Sequence, residues 1–265
     1  VWLFKVLGNA GTFVFYLAII FAATRFDMHS SDSVTSATPS VQPNSDSTTR
    51  RALVTGGSGD LGAAICRELA ASGAHVIVHA HRGLDRAQAV VAAIHVEGGS
   101  AEAVAFDLAD AVATRSAIDT LLANGPIQIL INNAGMHDDA PLAGMTDAQW
   151  HGVIDVSLHG FFHATQPLLL PMARTRWGRI VSVSSVAAVM GNRVQVNYAA
   201  AKSSLDGASR WLARERAPRG ITGQVVRPGG LTGEMDDDTR LLERVRAAGP
   251  SGRPGATDEA PRPCP

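Results

Sequence analysis

Apolar residues in this chain fall into short unbroken runs separated by stretches of helical spacing. RALVTG at 51–56 is an apolar run ending in glycine, as expected of a buried strand that feeds a tight turn. Residues 61–71 then carry apolar side chains at helical intervals, and Gly73 closes that helix. The alternation repeats: strand 75–80, helix 84–97, strand 101–107, helix 110–123, strand 127–135. A long helix is predicted from Asp147, announced by the capping box Thr146-x-x-Gln149. Strand 178–185, helix 196–217 and strand 221–230 complete the series. Strands that are apolar throughout must be covered on both faces, which implies a parallel sheet between helical layers. The predicted fold is a single α/β domain, doubly wound and Rossmann-like. After Met235 one short helix at 238–248 is expected, then GPSGRPGATDEAPRPCP; with no seventh strand signal, the domain reads as truncated before its last strand.

The N-terminal end follows different rules. Residues 1–27 are rich in apolar side chains, with FVFYLAIIFAA at 13–23 nearly continuous. That run is short against the ~20 residues of a membrane span. Lys5 before it and Arg25 after it allow a signal-anchor reading; the starting Val1, and Met28 ahead of a polar leader, favour translated upstream sequence. Membrane contact is expected only on the first reading. Residues 28–49 are Ser/Thr/Pro-rich without a core pattern and are predicted to be a disordered linker. The Rossmann-like domain is then expected over 50–247, with an irregular tail at 248–265.

Composition adds limits. Of 265 residues, 46% are hydrophobic and the formal net charge is -1, which gives no electrostatic footprint for a nucleic-acid partner. The two cysteines, Cys66 and Cys264, make neither a disulfide nor a metal-ligand pattern, and no metal is predicted. Cys66 falls beside Ile65 and Leu69 in a helical run and reads as a buried structural thiol. A reducing compartment, hence a cytoplasmic location, fits.

Chemistry concentrates at the predicted ends of strands. Thr55-Gly56-Gly57-Ser58-Gly59-Asp60-Leu61-Gly62 lies where the first strand turns into the first helix, and Gly57, Gly59 and Gly62 spell G-x-G-x-x-G. A pyrophosphate approaches a backbone closely only where Cβ atoms are missing, and a helix start offers it free N–H groups. At the end of the second strand an acid usually holds the ribose 2′-OH of NAD. This chain has His79-Ala80-His81-Arg82 instead. That favours NADP(H), with Arg82, beside His81, as the expected 2′-phosphate partner; a solvated loop residue is the alternative for Arg82.

In order and spacing, Thr55–Gly62, Asn132-Asn133-Ala134-Gly135, Ser185, Tyr198-Ala-Ala-Ala-Lys202 and Pro228-Gly229 resemble the short-chain dehydrogenase/reductase family. Over 178–207 the sequence is similar to the family's β-ketoacyl-(acyl carrier protein) reductases almost throughout. The resemblance covers roughly residues 50–247. Reducing a ketone needs a proton on oxygen, and Tyr198 is the expected donor. A phenol of ordinary pKa near ~10 needs a positive charge nearby to act at neutral pH; Lys202, one helical turn on, supplies it. The resemblance implies that Lys202 also holds the nicotinamide ribose. It implies too that Ser185 orients the substrate carbonyl, that Asn133, Ala134 and Gly135 form the cofactor floor, and that Asp107 and Leu108 lie near the adenine.

Departures from the family pattern matter equally. Asp60 stands where glycine is usual, so it is expected to point to solvent or cap the helix. Ser157 replaces a catalytic asparagine that supports a water-linked proton relay; slower proton resupply is expected. Gly233 takes the place of a usual threonine, with Thr232 adjacent. GRPGATDE at 252–259 begins like a family segment and then dissolves, which suggests a frameshift or premature end near residue 255. An intact reading frame in the coding DNA would remove that idea. The family's usual homo-oligomer is in doubt for the same reason.

Three functions are therefore weighed. The first is NADPH-dependent reduction of a 3-oxoacyl thioester on acyl carrier protein. The second is the same mechanism on a sugar, steroid or small alcohol, with residues 136–145 and 187–196 expected to line the pocket. The third is a non-catalytic cofactor-binding partner subunit. Arg174, Arg176 and Arg179 are either a dock for an acidic carrier or a solvated basic face.

Overall fold

The computed structural model describes residues 49–228. The expectations for the apolar segment 1–27, nearly all of the linker 28–49, Gly229, Thr232, Gly233, the helix 238–248, the seventh strand and the tail lie outside the described residues.

Six strands form one parallel sheet: β1 (Arg51–Val54), β2 (His75–Ala80), β3 (Ser100–Ala105), β4 (Ile129–Asn132), β5 (Gly178–Val183) and β6 (Ile221–Val226). Their spatial order is β3-β2-β1-β4-β5-β6, the doubly wound arrangement expected. Leu53 pairs with Ile77 on one side and Leu130 on the other, so these fully buried side chains share one face of the sheet. They pack with Ile118, Leu168 and Leu212 from α3 (Ala111–Ala123), the segment after α5 (Gly160–Thr165), and α8 (Val196–Arg216). Val54, Val78 and Ile131 face the opposite way, against Ile65 and Leu69 of α1 (Asp60–Ala71) and Val90 and Ile94 of α2 (Leu84–Val96). Burying each of these aliphatic side chains contributes about 1.5–3 kcal/mol, which is why the central strands β1, β4 and β5 are buried on both faces.

The elements differ from expectation mainly at their ends. β1 stops at Val54 because Gly56 takes φ 64° and leaves the ladder. The long helix from Asp147 begins as predicted, with Thr146 Oγ1 accepting from Gln149 N (3.2 Å) and Gln149 Oε1 from Thr146 N (3.0 Å). It does not continue unbroken. α4 (Asp147–Ile154) passes through a π turn at Asp155–His159 into α5, then a 3₁₀ turn at Gln166–Leu168 leads to α6 (Leu169–Thr175). Pro167 sits in that 3₁₀ turn and has no N–H to continue an α ladder. The short helix α7 (Ala187–Met190) was not foreseen.

Arg179 corrects the sequence reading. It was grouped with Arg174 and Arg176 as docking or solvated, and those two are exposed. Arg179 is buried in β5, its guanidinium 4.3 Å from the Trp177 ring centre and donating to the carbonyls of Gly178 (2.9 Å) and Gly220 (3.2 Å). It is a structural cation. Cys66 is fully buried as expected, and burial pushes its thiol pKa up.

Candidate active site

Strand order reverses between β1 and β4, so the crevice at their carboxyl ends is where this topology places a ligand. Two turns meet there. The Thr55 hydroxyl accepts from the N–H groups of Asn133 and Ala134 (3.0 Å each) and donates to the Ile131 carbonyl (3.2 Å). The Asn133 side chain donates back to the carbonyls of Thr55 (3.0 Å) and Gly56 (3.2 Å). In the glycine turn itself, Gly59 N–H reaches the Gly56 carbonyl at 3.1 Å. A Cβ on Gly62 would lie 2.1 Å from that same carbonyl oxygen, so only glycine lets α1 approach the turn. Asp60 is exposed and is the first residue of α1, where a carboxylate meets the positive end of the helix dipole. It does not cap the helix; Gly59 occupies that position without a side-chain bond.

Across the crevice, α8 delivers the second group. Tyr198 is half-buried, and Lys202 Nζ lies 5.9 Å from its ring centre. Lys202 is itself buried and donates to the Val183 carbonyl at 2.9 Å, at the end of β5. Ser184 Oγ donates to the Lys202 carbonyl (2.8 Å), which fixes the helix against the strand end. Ser185 follows directly, half-buried, its Oγ accepting from Ala187 N at 3.2 Å. Gly135 makes room for the lysine: a Cβ there would stand 2.8 Å from Lys202 Nζ and 3.5 Å from Ser157 Oγ. Ser157, in the π turn, is buried and its hydroxyl has no hydrogen-bond partner among the described residues.

One cleft of about 360 Å³ joins these groups. Ser58, Gly59, Asp60, Leu61 and Gly62 line its glycine-turn end; His81, Asp107 and Leu108 line the side toward β2 and β3. Asn133, Ala134 and Gly135 form its floor, and Ser185, Tyr198, Lys202 and Pro228 its far end. His81 Nε2 lies 3.3 Å from Asp107 Oδ2. Four expected residues stand apart from the lining: Thr55, Gly57, Ser157 and Arg82. Thr55 works underneath, stitching the turns. Gly57 packs inward, where a Cβ would meet Val54 O, Cys66 Sγ and Val78 Cγ1 at 3.0–3.1 Å. Arg82 is exposed, whereas Arg86, in the first turn of α2, lines the cleft and folds back over Gly83.

Sequence reading also missed Asn197. It is fully buried, and its side chain donates to the carbonyls of Asp138 (2.9 Å) and Gln149 (3.0 Å), tying the start of α8 to the loop 136–145 and to α4. Its place directly before Tyr198 was the available signal.

This constellation is matched by a known family. A family model described as short chain dehydrogenase matches residues 50–243. The chain is a short-chain dehydrogenase. Its relatives within that family include the 3-oxoacyl-[acyl-carrier-protein] reductase of Escherichia coli (strain K12), 39% identical over 214 residues, covering 78% of this chain and 85% of that protein. A reductase of the same description from Synechocystis sp. is 39% identical over 192 residues, covering 72% and 78%. Among solved structures, a gluconate 5-dehydrogenase from Burkholderia cenocepacia J2315, in complex with NADP and tartrate, matches with a TM-score of 0.75 at 30% identity, covering 79% of this chain and 84% of that one.

One buried group gives this short-chain dehydrogenase a pH-dependent stability. Burial holds the His79 imidazole down at about 4 from an ordinary 6.5, opposed in part by its hydrogen bond to Phe106. Between those values the unfolded chain binds a proton that the folded chain does not. Stability is therefore fully present above about 6.5 and lost as pH falls toward 4, by on the order of 3 kcal/mol. Urea midpoints measured across this window should fall with pH in the wild type and fall less in a His79→Asn variant.

Proposed function

We propose that this short-chain dehydrogenase uses NADPH to reduce the 3-oxo group of an acyl thioester carried on acyl carrier protein. The observation that carries the reading is that one cleft runs from a glycine turn to the side chains of Ser185, Tyr198 and Lys202. The glycine turn fits a pyrophosphate: Gly59 offers the cleft no Cβ, and the first turn of α1 presents its N–H groups there. NADPH, when bound, supplies the hydride. Ser185 hydrogen-bonds the substrate oxygen and orients it. Tyr198 delivers the proton to that oxygen, and the Lys202 ammonium stabilises the tyrosinate left behind. Ser157 stands where the family's asparagine supports proton resupply, and its unpartnered buried hydroxyl is suited to hold a water near Lys202.

Two features support an acyl substrate over a sugar. Of the two loops expected to line the pocket, 136–145 and 187–196, only Met136 and His137 border the cleft, and Leu142, Val186, Val189, Met190, Val194 and Val196, in those loops or directly beside them, are exposed apolar side chains. They offer an alkyl chain a surface that a polyol would not use. The exposed Arg174 and Arg176 suit an acidic carrier. The test is NADPH oxidation by the purified chain with an acetoacetyl thioester, against gluconate with NADP⁺ as competitor. Turnover on gluconate alone would replace the acyl reading with the sugar one, and turnover on neither by a protein that binds NADPH would favour the partner-subunit reading.

For the 2′-phosphate, the cleft favours Arg86 over Arg82. Arg86→Ala is expected to raise the KM for NADPH about tenfold and leave that for NADH within about twofold, while Arg82→Ala has a smaller effect. Initial rates with both cofactors check this.

A further inference from the structure

His79 takes no part in the chemistry above, yet it is 2% exposed and borders the cleft. Its ring lies between the carboxyl ends of β1 and β3. On one side the Gly56 N–H donates to Nδ1 at 3.0 Å. On the other, Nε2 lies 2.9 Å from the Phe106 carbonyl, and the Phe106 ring is centred 4.3 Å away. Only one protonation state satisfies both contacts. A backbone N–H can only donate, so Nδ1 is bare; a carbonyl can only accept, so Nε2 carries the proton. An imidazolium would set a second N–H against the Gly56 amide.

Gly56 is the hinge of the turn. Its φ is 64°, its carbonyl receives both Gly59 N–H and the Asn133 side chain, and α1 rests on it at Gly62. Fixing its amide therefore fixes the orientation of the carbonyl on which the rest of the turn is assembled. We propose that His79 is a positioning residue for the dinucleotide: its neutral Nε2–H imidazole ties the Gly56 amide to the Phe106 carbonyl and sets the shape of the turn that takes the pyrophosphate. This rests on reading the cleft as the NADP(H) site. The charged groups facing the ring are His81 beside β2 and Asp107 after β3, the former opposing and the latter favouring its protonation. Asp60 and Arg86 border the same cleft. Burial outweighs them and keeps the ring neutral at physiological pH.

The experiment is calorimetric binding of NADP⁺, which tolerates acid, to wild type, His79→Leu and His79→Asn, from about pH 8 down to about pH 4.5. The asparagine retains an acceptor for the Gly56 amide and cannot titrate. His79→Leu should weaken NADP⁺ at least about tenfold, and raise the KM for NADPH by more than it lowers kcat. His79→Asn should restore affinity to within about threefold of wild type and lack the wild type's extra loss of affinity below about pH 5. A leucine variant that binds as tightly as wild type, or an asparagine variant no better than leucine, overturns the proposal. If the leucine variant does not fold, the asparagine variant decides, and a pH profile parallel to wild type overturns it. Wild type that binds no NADP⁺ defeats the cofactor reading itself, and this proposal with it.

Discussion

Replacing Tyr198 by phenylalanine is expected to lower turnover by about 10²–10⁴-fold, the usual worth of a positioned proton donor, while NADPH affinity stays within about threefold. Phenylalanine keeps the ring that Lys202 Nζ approaches at 5.9 Å and the helix that carries both residues. It removes only the hydroxyl. The loss should therefore fall on kcat and kcat/KM together, since the missing interaction forms as charge develops on the substrate oxygen. Steady-state rates with an acetoacetyl thioester and a separate NADPH titration check both halves. Near-normal turnover in the variant would mean that another group donates the proton.

Gly62→Ala should act on the fold and the cofactor at once. The added Cβ would meet Gly56 O at 2.1 Å, Gly57 Cα at 2.8 Å and the Gly56 carbonyl carbon at 2.9 Å. All three are backbone atoms and cannot rotate aside. The start of α1 must retreat from the turn, at a cost of about 3 kcal/mol and a melting temperature lower by roughly 6–12 °C. NADPH affinity should fall by about 100-fold or more, because the N–H groups at the helix start move with it. Gly59→Ala gives the contrast. There the nearest atom is Gly56 O at 3.5 Å, an ordinary contact, so the fold should tolerate it while the methyl group intrudes on the cleft. Thermal melts and NADPH titrations of the two variants separate packing from ligand approach. Equal melting temperatures would show that Gly62 is not needed for the packing described.

The strands were legible because burial on both faces leaves a signature a sequence cannot hide: Leu53, Val54, Ile77, Val78, Leu130 and Ile131 leave no polar alternation to read otherwise. The glycine turn and the Tyr198–Lys202 pair, which share one cleft, were legible because each is a pattern of local spacing. What escaped depends on distant contacts. The break of the long helix at Asp155–His159 has no proline or glycine within it. That Arg86 lines the cleft could not be read in advance, because the path of a flexible side chain over Gly83 is set by folding, not by order in the chain. His79 read only as the absence of an acid; its two partners, Gly56 and Phe106, follow the neighbouring strands β1 and β3. Arg179 did carry a signal. It lies within a run, GRIVSVSS, already read as a buried strand, and should have been taken as buried too.

Cys66 sits under the glycine turn, its Sγ 4.0 Å from the Gly57 carbonyl and its surface closed to solvent. A thiol in that position is a built-in reporter. Alkylating reagents reach it only when α1 lifts from β1, so its labelling rate in a Cys264→Ser background times that opening directly, with no chromophore added. NADP⁺ should slow the labelling in proportion to its occupancy, and a substitution that loosens the turn should speed it even where the chain still melts cooperatively.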